Sequence, residues 1–531
     1  MPRFSQIRCR VSRVRAAATW LARGRFWRRM TQIACLLLFL WLFRKTEYTG
    51  VTEIPGAANI LFRIDPLVAV SVMAEAKQLI PMVLWSLLLV ALTVVLGRFF
   101  CGWVCPLGTL LDGTRWFGAG HFHARRFTHR WQRAKYFLLG VIIISAVFGL
   151  PLAGWFDPFA ILMRGLTYAV DPLWGHGVTA GFAWLYQRAP PAITNVSEPI
   201  YAFLKKTVLP FQDVTFRFTG PVVVALAILL AVFALEFVQR RFWCRYVCPL
   251  GGLLALLSRR SLVRRLPVKG CKDCGVCGEI CRMDAFDVEG RLVPEACNLC
   301  MDCIDKCPHD RAKFIVRKTR TEPAPLDPSR RLFIGTVATG LALPAVAWAL
   351  RINRHVHPRL IRPPGAGTES EFLDRCVRCG ECMKVCPTNA LQPALFEAGT
   401  EGMFSPRVVP RIGYCEYNCT LCGEICPTGA ISRLPFAKKQ WTVIGKAAFD
   451  KSRCLPYAKG KDCGVCEEHC PIPEKAIRFR EAEAQNEQGE KVVVKQPYVE
   501  RDLCIGCGTC ENKCPLEGQA AVRVSRPEAV V

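Results

Sequence analysis

The arrangement of the cysteines constrains the fold of this 531-residue chain more than any other feature. Of the 30 cysteines, 24 fall into six compact groups of four, which we call quartets. Their members are Cys271, Cys274, Cys277 and Cys281; Cys297, Cys300, Cys303 and Cys307; Cys376, Cys379, Cys382 and Cys386; Cys415, Cys419, Cys422 and Cys426; Cys454, Cys463, Cys466 and Cys470; and Cys504, Cys507, Cys510 and Cys514. Such dense groups are not spread as a disulfide framework is, so the sequence predicts metal-bearing domains.

The spacing within the quartets indicates which metal centre they hold. Four of them have the pattern C-x2-C-x2-C-x3-C, in which three thiolates ligate one [4Fe–4S] cluster and the fourth reaches a neighbouring cluster. The other two are stretched at Cys415-x3-Cys419 and Cys454-x8-Cys463. Structural zinc, the alternative, usually takes two cysteine pairs separated by a longer gap. We therefore predict six [4Fe–4S] clusters as cofactors, and we expect Arg282, which replaces the usual proline after Cys281, to raise a cluster potential.

Five apolar segments are candidates for membrane spans, which take about 20 residues each. They lie at 31–43, 78–97, 136–154, 220–238 and 332–350, and the last one contains Pro344. The net charge of +27 suggests nucleic acid as a partner, but the basic residues lie between the apolar runs rather than on one soluble domain. We therefore interpret the charge as membrane topology and expect no nucleic-acid partner.

Loop charges set the predicted orientation. Residues 1–30 contain nine arginines and no acid, and residues 239–265 contain seven basic residues and no acid, whereas residues 155–219 have five basic and four acidic residues. The positive-inside rule then places the N-terminus and residues 239–330 in the cytoplasm of a bacterium, at its inner membrane. Everything beyond about residue 351 is predicted to lie in the periplasm.

The fifth segment, "SRRLFIGTVATGLALPAVAWAL" at 329–350, has the form of a twin-arginine export signal. That route moves folded cargo, which suits a downstream domain that folds around clusters. The alternative is an ordinary transmembrane helix that follows Ser-Arg-Arg. We divide the chain into a four-span membrane domain (1–265), a cytoplasmic two-cluster domain (266–320), a linker with the fifth helix (321–353) and an outer four-cluster domain (354–531).

Two further motifs resemble each other, "RFFCGWVCPLG" at 98–108 and "RRFWCRYVCPLG" at 240–251. If each is helical, its two cysteines share one helical face. The cysteines Cys101, Cys105, Cys244 and Cys248 then form a further thiolate metal site or two redox-active pairs, and the alternative is free thiols at helix ends. The stretch "GWFDPFAILMRG" at 154–165 is a candidate quinone contact through Trp155, Asp157 and Arg164, and its alternative is an amphipathic helix at the membrane interface.

These motifs carry a resemblance to two known families. Residues 1–320 resemble the NapH type of membrane ferredoxin, a core shared with NosR and CcoG, and residues 329–531 resemble the exported four-cluster ferredoxins NapG and MauM. The resemblance implies a fusion of the two, with an α-helical membrane domain of about five transmembrane helices and α+β domains of bacterial-ferredoxin type. By analogy with other four-cluster subunits, we expect the first outer quartet to exchange its fourth cysteine with the fourth, and the second with the third.

The family also implies a function. NapG and NapH are thought to pass electrons from quinol to a periplasmic reductase, of nitrate-reductase type by default, or to a c-type cytochrome. No Cys-x-x-Cys-His haem motif or nucleotide loop points to a catalytic site of the chain's own. We therefore predict a membrane-bound electron-transfer subunit that exchanges quinol in the lipid. The alternative is a maturation factor that reduces a metal or a disulfide in a partner enzyme.

Overall fold

A computed structural model describes residues 24–48, 50, 54, 59–114, 129–188, 190–207, 209, 219–267, 276–286, 292–307, 312–316, 330–352, 357–486 and 488–527. By its internal contacts the chain divides into two compact units. The first unit comprises residues 1–42, 61–162 and 227–345, and the second comprises residues 43–60, 163–226 and 346–531. Each unit therefore collects segments that are distant in the sequence.

Among the described residues up to 352, the regular structure is helical apart from one pair of strands. Its α-helices are α1 (Gly24–Lys45), α2 (Ile60–Arg63), α3 (Pro66–Ala76), α4 (Ser86–Leu96), α5 (Phe99–Trp103), α6 (Pro106–Gly113), α7 (Ala134–Val147), α8 (Ala153–Phe156), α9 (Pro158–Gly165), α10 (Asp171–Arg188), α11 (Pro191–Thr207), α12 (Gly220–Val238), α13 (Pro249–Ser258), α14 (Val276–Ile280), α15 (Asp302–Asp305) and α16 (Arg330–Ile352). Leu166–Val170 and Trp243–Val247 are π-helical, and Pro81–Val83, His129–Arg133 and Pro294–Ala296 are 3-10 turns.

Three of the described helices are long and apolar enough to cross a membrane, namely α1, α12 and the Arg330–Ala349 part of α16. The other two predicted spans contain shorter helices. At 1.5 Å per residue, the 11 residues of α4 and the 14 of α7 extend roughly 16 and 21 Å, less than the hydrocarbon core of about 30 Å. Gly97 (φ +86°) ends α4, and Gly149 (φ +77°) lies just after α7. The predicted count of five spans is therefore not confirmed.

Pro344 does not break the last long helix. A proline has no N–H for the carbonyl four residues earlier, here that of Gly340. The hydroxyl of Ser145 on α7 donates a hydrogen bond to this carbonyl at 3.3 Å and so replaces the missing donor. Gly340 also brings the two helices close together, because a Cβ at this position would lie 2.8 Å from Ile144 Cβ. The helix thus continues through the proline because its neighbour supplies the hydrogen bond.

In the first unit, α13 packs against α3, α4 and α7, and these helices contribute fully buried side chains such as Leu67, Ile142 and Leu254. Beyond α13, strand β1 (Val263–Pro267) pairs antiparallel with β2 (Ala312–Val316), with Val263 opposite Val316. In the sequence, the first two quartets lie between these two strands.

The second unit contains the four later quartets. Its further helices are α17 (Glu369–Arg375), α18 (Glu381–Lys384), α19 (Leu421–Ile425), α20 (Phe436–Gln440), α21 (Leu455–Ala458), α22 (Val465–Glu468) and α23 (Thr509–Lys513). Its strands are β3 (Leu391–Pro393), β4 (Pro406–Val408), β5 (Lys446–Phe449), β6 (Ile477–Gln485), β7 (Lys491–Val499) and β8 (Val522–Ser525). They pair antiparallel as β3–β4, β5–β8 and β6–β7, a series of two-stranded ribbons joined to short helices.

Candidate iron–sulfur centres

The first outer quartet supplies three cysteines to one site, and its fourth cysteine goes elsewhere. Burial raises the pKa of the Cys382 thiol, and the negative charges of Cys379, Cys376 and Cys426 raise it further. The fourth sulfur of this site is therefore Cys426, from the second outer quartet. Gly380 (φ +86°) turns the chain into α18 between Cys379 and Cys382, a conformation that favours glycine. We call this the Cys376 site.

The neighbouring site completes the exchange. One apolar cavity is lined by the four sulfur-bearing side chains Cys386, Cys415, Cys419 and Cys422. Burial raises the pKa of Cys415 to about 12, and Cys386 is among the groups that contribute. The first and second outer quartets thus exchange their fourth cysteines, because α18 packs against α19 and each fourth cysteine follows one of these helices. We call this the Cys415 site.

The third and fourth outer quartets are arranged in the same way. A second cavity is lined by Cys454, Cys463, Cys466 and Cys514, which we call the Cys454 site. Burial raises the pKa of Cys507, and the charges of Cys504 and Cys470 raise it further. Cys470 therefore belongs with Cys504, Cys507 and Cys510, which we call the Cys504 site. The predicted exchange of the first quartet with the fourth, and of the second with the third, is therefore wrong. Packing of α22 against α23 joins quartets that follow each other in the sequence.

The two pairs of sites are linked through the backbone. The N–H of Cys415 donates to the carbonyl of Cys507 at 2.8 Å. Cys507 and Cys415 are also close enough for their charges to interact, as are Cys382 and Cys422 on one side and Cys510 and Cys466 on the other. The second unit therefore orders its sites as Cys376, Cys415, Cys504 and Cys454.

The inner quartets are described in part. A cavity in the first unit is lined by Cys281 together with Cys297, Cys300 and Cys303, which is the arrangement that exchange of a fourth cysteine requires. Burial, with the adjacent Cys300, raises the pKa of Cys297 to about 12. Of the remaining cysteines, Cys277 and Cys307 lie in the described residues, on or beside helices α14 and α15, which contact each other. Cys271 and Cys274 lie outside the described residues.

The four cysteines of the two C-x3-C-P motifs converge in the first unit, and we call them the four-cysteine site. Cys101 lies in α5 and Cys244 in the π-helical turn, whereas Cys105 and Cys248 precede α6 and α13. The proline after each second cysteine disfavours a helical conformation of that cysteine, so neither motif is one continuous helix and the condition for a shared helical face is not met. The sulfurs nevertheless meet, because Cys244, Cys101 and Cys105 all raise the pKa of buried Cys248.

Both motifs also hold the inner quartets in place. In the first motif, Gly102 lies so close to Asn298 that a Cβ would approach the Asn298 carbonyl oxygen to 2.2 Å. Trp103 Nε1 donates to the carbonyl of Leu299 at 3.0 Å. In the second motif, Arg245 Nη2 donates to the carbonyl of Arg282 at 2.8 Å. The four-cysteine site and the Cys281 cavity are therefore parts of one packed structure.

Arg282 forms ion pairs that the sequence did not predict. Its guanidinium is buried and lies 2.7 Å from Asp112 Oδ2, while its Nε donates to Asp302 Oδ2 at 2.8 Å. Burial opposes ionisation of Asp302, yet Arg282 and Arg28 hold its pKa below the usual value. Burial opposes ionisation of Arg282 too, but the charges of Asp112 and Cys300 raise its pKa, and the predicted effect of Arg282 on a cluster potential stays a prediction. The structure shows in addition that Arg282 joins the inner domain to α6.

The three candidate quinone contacts lie in different environments. Trp155 is half-buried in α8, and Asp157 is fully buried and accepts a hydrogen bond from the N–H of Ala160 at 2.7 Å. Arg164 is also buried and lies 4.6 Å from the centre of the Phe404 ring. Their joint role stays a prediction.

Sequence reasoning missed two residues nearby. Tyr168, in the π-helical turn, contacts the Cys376 site, because a Cβ on Gly380 would lie 3.0 Å from its ring. Asp65 is fully buried, and burial followed by the charge of Asp157 raises its pKa well above the usual value. Each aspartate precedes a proline that begins a helix, but Asp-Pro occurs four times in the sequence and does not by itself identify this pair.

The cavities fit iron–sulfur clusters by the chemistry of their donors. Each one presents sulfurs from two quartets inside an apolar wall. Burial and mutual repulsion hold the pKa of these thiols high, to about 11 for Cys454 and about 12 for Cys466. Thiolates in such surroundings require a cationic centre, and iron–sulfur clusters are held by four thiolates.

Comparison with protein families supports this chemistry. A model described as a 4Fe-4S binding domain matches residues 78–125 and 220–269, the segments that carry the C-x3-C-P motifs. A second 4Fe-4S binding domain matches residues 372–392, and a 4Fe-4S dicluster domain matches residues 459–517. No solved structure matches the chain significantly.

Curated relatives give the family. The methylamine utilization ferredoxin-type protein MauM of Methylorubrum extorquens is 39% identical over 212 residues, which cover 38% of this chain and 90% of that protein. MauM of Paracoccus denitrificans is 38% identical, over 39% of this chain and 88% of that protein. The ferredoxin-type protein NapG of Escherichia coli is 34% identical, over 38% of this chain and 86% of that protein. The chain therefore belongs to the MauM/NapG family of ferredoxin-type iron–sulfur electron-transfer proteins.

Proposed function

We propose that this protein takes electrons from membrane quinol and passes them through the outer four-cluster domain to a periplasmic reductase or a c-type cytochrome. One observation carries the proposal. The segment between α9 and α10 lies directly against the Cys376 site, where the Tyr168 ring is in contact with Gly380. Because residues 155–219 follow the third predicted span, this contact brings a membrane-adjacent segment to the first of the four ordered sites.

The surroundings of Tyr168 keep this segment in place. Its hydroxyl donates to the carbonyl of Phe404 at 3.4 Å, and Arg164 stacks on the same phenylalanine ring. One turn later, Asp171 forms an ion pair with Lys384 at the end of α18. These contacts hold the π-helical turn, a feature that is frequent at functional sites, on the helix that follows Cys379. When bound, each [4Fe–4S] cluster takes up and passes on one electron.

Quinol oxidation also releases protons, and the chain offers buried groups for them. We retain Trp155, Asp157 and Arg164 as proposed quinone contacts, with Asp65 added as the partner of Asp157. The charge of Asp157 raises the pKa of buried Asp65, so the pair favours holding a shared proton. Asp157 is the residue to test first, because asparagine keeps its role as a helix cap and removes the acid.

The topology remains part of the proposal. We propose five spans, with the N-terminus and the two-cluster domain (266–320) in the cytoplasm, and with the segment at 329–350 acting as a twin-arginine-type signal and anchor. The grouping of contacts supports it, since residues 45–60 and 163–219, which fall in the loops 45–77 and 155–219 predicted to be outside, belong to one unit with residues 346–531. On this reading, residues 1–320 form a NapH-type portion fused to a NapG/MauM-type portion.

The test is an anaerobic mixing experiment with the purified, detergent-solubilised protein. A menaquinol or ubiquinol analogue is added, and cluster reduction is followed by visible bleaching and EPR, with dithionite as the reference for full reduction. We expect rapid reduction by at least one quinol. Clusters that dithionite reduces but neither quinol does would refute quinol as the donor.

A second candidate function rests on the four-cysteine site. A maturation factor could use these thiols with the inner clusters to reduce a metal or a disulfide in a partner enzyme, and the packing of Cys244 beside Cys281 and Cys297 favours this reading. Replacing Cys101 and Cys244 by serine distinguishes the two functions. Loss of partner assembly with quinol oxidation intact supports maturation, whereas loss of electron flow alone supports electron transfer.

A further inference from the structure

The four-cysteine site lies outside the six ferredoxin quartets. We propose that Cys101, Cys105, Cys244 and Cys248 together hold a seventh [4Fe–4S] cluster, beyond the six that the ferredoxin quartets account for. This inference does not depend on which molecule donates electrons to the protein. It rests on the charge, packing and position of the residues around the four sulfurs.

Arg98 provides the first argument. Its guanidinium is fully buried, and its Nη2 lies 3.9 Å from Cys101 Sγ while its Nη1 donates to the carbonyl of Glu295 at 3.1 Å. Within the described parts of the chain, no carboxylate is paired with Arg98, and the Glu295 carboxylate pairs with Arg259. A buried cation is costly unless an anion compensates it. Here the sulfurs are the groups in position to carry that negative charge, as metal-bound thiolates do and as free thiols or disulfides do not.

Arg241 repeats this arrangement in the second motif. It stands three residues before Cys244, as Arg98 does before Cys101, and its Nη1 lies 3.8 Å from Cys244 Sγ. Each motif therefore contributes one guanidinium on the sulfur side of the site. A cluster with four thiolate ligands is anionic, so the two arginines match its charge. Arg241 is also held by Asp112 at 2.7 Å, which fixes its position.

The two motifs interlock through their glycines. A Cβ on Gly108 of the first motif would lie 2.8 Å from Arg241 Nη1 of the second, and a Cβ on Gly251 of the second would lie 3.0 Å from Arg98 Nη2 of the first. The Gly251 N–H also donates to Cys248 Sγ at 3.2 Å. The duplicated sequence R-x2-C-x3-C-P-L-G thus forms one symmetric site in which each arginine packs against the other motif.

One observation favours an iron–sulfur cluster over a single ion. The family model that covers both motifs is described as a 4Fe-4S binding domain.

The position of the site gives the seventh cluster a purpose. Cys244 packs on the same apolar cluster, Met283, Ala285 and Ala296, as Cys281 and Cys297 do. The four-cysteine site is therefore the immediate neighbour of the Cys281 cavity. In the sequence, one motif follows α4 and the other follows α12. The site is therefore connected to these two apolar helices as well as to the inner sites.

The test is the iron content of the anaerobically purified full-length protein. Seven clusters require about 28 iron atoms per chain, against about 24 for six. We expect about 28 in the wild type, about 24 in a variant with both Cys101→Ser and Cys244→Ser, and about 28 in the control Cys35→Ser, which removes a lone cysteine of α1. Mössbauer spectra should assign the four lost irons to a [4Fe–4S] centre. Equal iron in the wild type and the double variant would overturn the proposal, as would one zinc per chain.

If the double variant does not accumulate, two other measurements test the proposal. Arg98→Met should lose the same four irons because the anionic cluster loses its counter-charge, whereas Arg98→Lys should retain them. In the wild type, mass spectrometry of peptides released without reductant should find no disulfide between any two of the four cysteines. Disulfide-linked peptides together with about 24 irons would overturn the proposal without any variant.

Discussion

Arg282 is the residue whose replacement tests the described structure of the first unit most sharply. Its guanidinium is about 2% exposed and joins Asp112 of α6 to Asp302 of α15. Methionine has a similar length and no charge, so Arg282→Met removes the main partner of buried Asp302 and one of the two close partners of half-buried Asp112. We expect the inner cluster domain to open more often in this variant.

The magnitude follows from the partners that remain. Breaking a buried ion pair by removing one member costs about 3–5 kcal/mol. Asp112 keeps Arg241 at 2.7 Å, and Asp302 keeps Arg28 and Arg240 at 3.7 Å, so we expect the lower end of that range. A loss of about 3 kcal/mol raises the population of the open form roughly 100-fold, since 1.4 kcal/mol is tenfold.

The assay is the rate at which a ferrous-iron chelator removes iron from the inner clusters of the full-length protein. When opening and closing are fast, this rate follows the open population. Arg282→Met should release iron roughly 100-fold faster than the wild type, and Arg282→Lys should lie between them. Adding Asp302→Asn to Arg282→Met should recover part of the loss, because it removes an uncompensated charge. An unchanged rate in Arg282→Met would refute the reasoning.

Three further predictions concern other parts of the chain. Gly102→Ala forces a Cβ to 2.2 Å from the Asn298 carbonyl, so we expect about 1–3 kcal/mol of destabilisation and faster iron release, with the exposed Gly113→Ala in α6 as control. The raised pKa of Asp65 means that the folded state holds a proton more tightly than the unfolded state. The free energy of unfolding should therefore fall as pH rises above about 4 towards that raised pKa. Asp65→Asn keeps the helix cap and should remove this pH dependence, which thermal unfolding measures. Arg411 donates to the carbonyls of Gly518, Glu511 and Cys514, so Arg411→Ala should make the cluster at the Cys454 site lose iron first, and equal loss from all sites would count against this role.

The sequence predicted the local features well because each depends on neighbouring residues. Spacing identified the quartets, hydropathy identified α1, α12 and α16, and duplication identified the C-x3-C-P motifs. The helices α4 and α7 are shorter than the two apolar segments that contain them, because hydropathy alone does not register the glycines that end α4 and follow α7.

The features that sequence reasoning missed depend on contacts between distant residues. The exchange of fourth cysteines is set by which short helices pack together, and spacing within a quartet does not contain that information. Arg282 appeared as a loose charge because its partners Asp112 and Asp302 lie far away in sequence or on another helix. The continuity of α16 through Pro344 likewise depends on Ser145, which lies about 200 residues earlier.

The central claim is that electrons from quinol enter the outer domain at the Cys376 site. The most direct test mixes a quinol anaerobically with the variant Cys376→Ser and follows the remaining outer clusters by rapid-freeze EPR, with Cys297→Ser in the inner domain as the matched control. The account predicts that Cys376→Ser abolishes rapid reduction by quinol while dithionite still reduces the remaining clusters, and that Cys297→Ser reacts with quinol as the wild type does. Rapid quinol reduction of the outer clusters in Cys376→Ser, or its loss in Cys297→Ser alone, would contradict it.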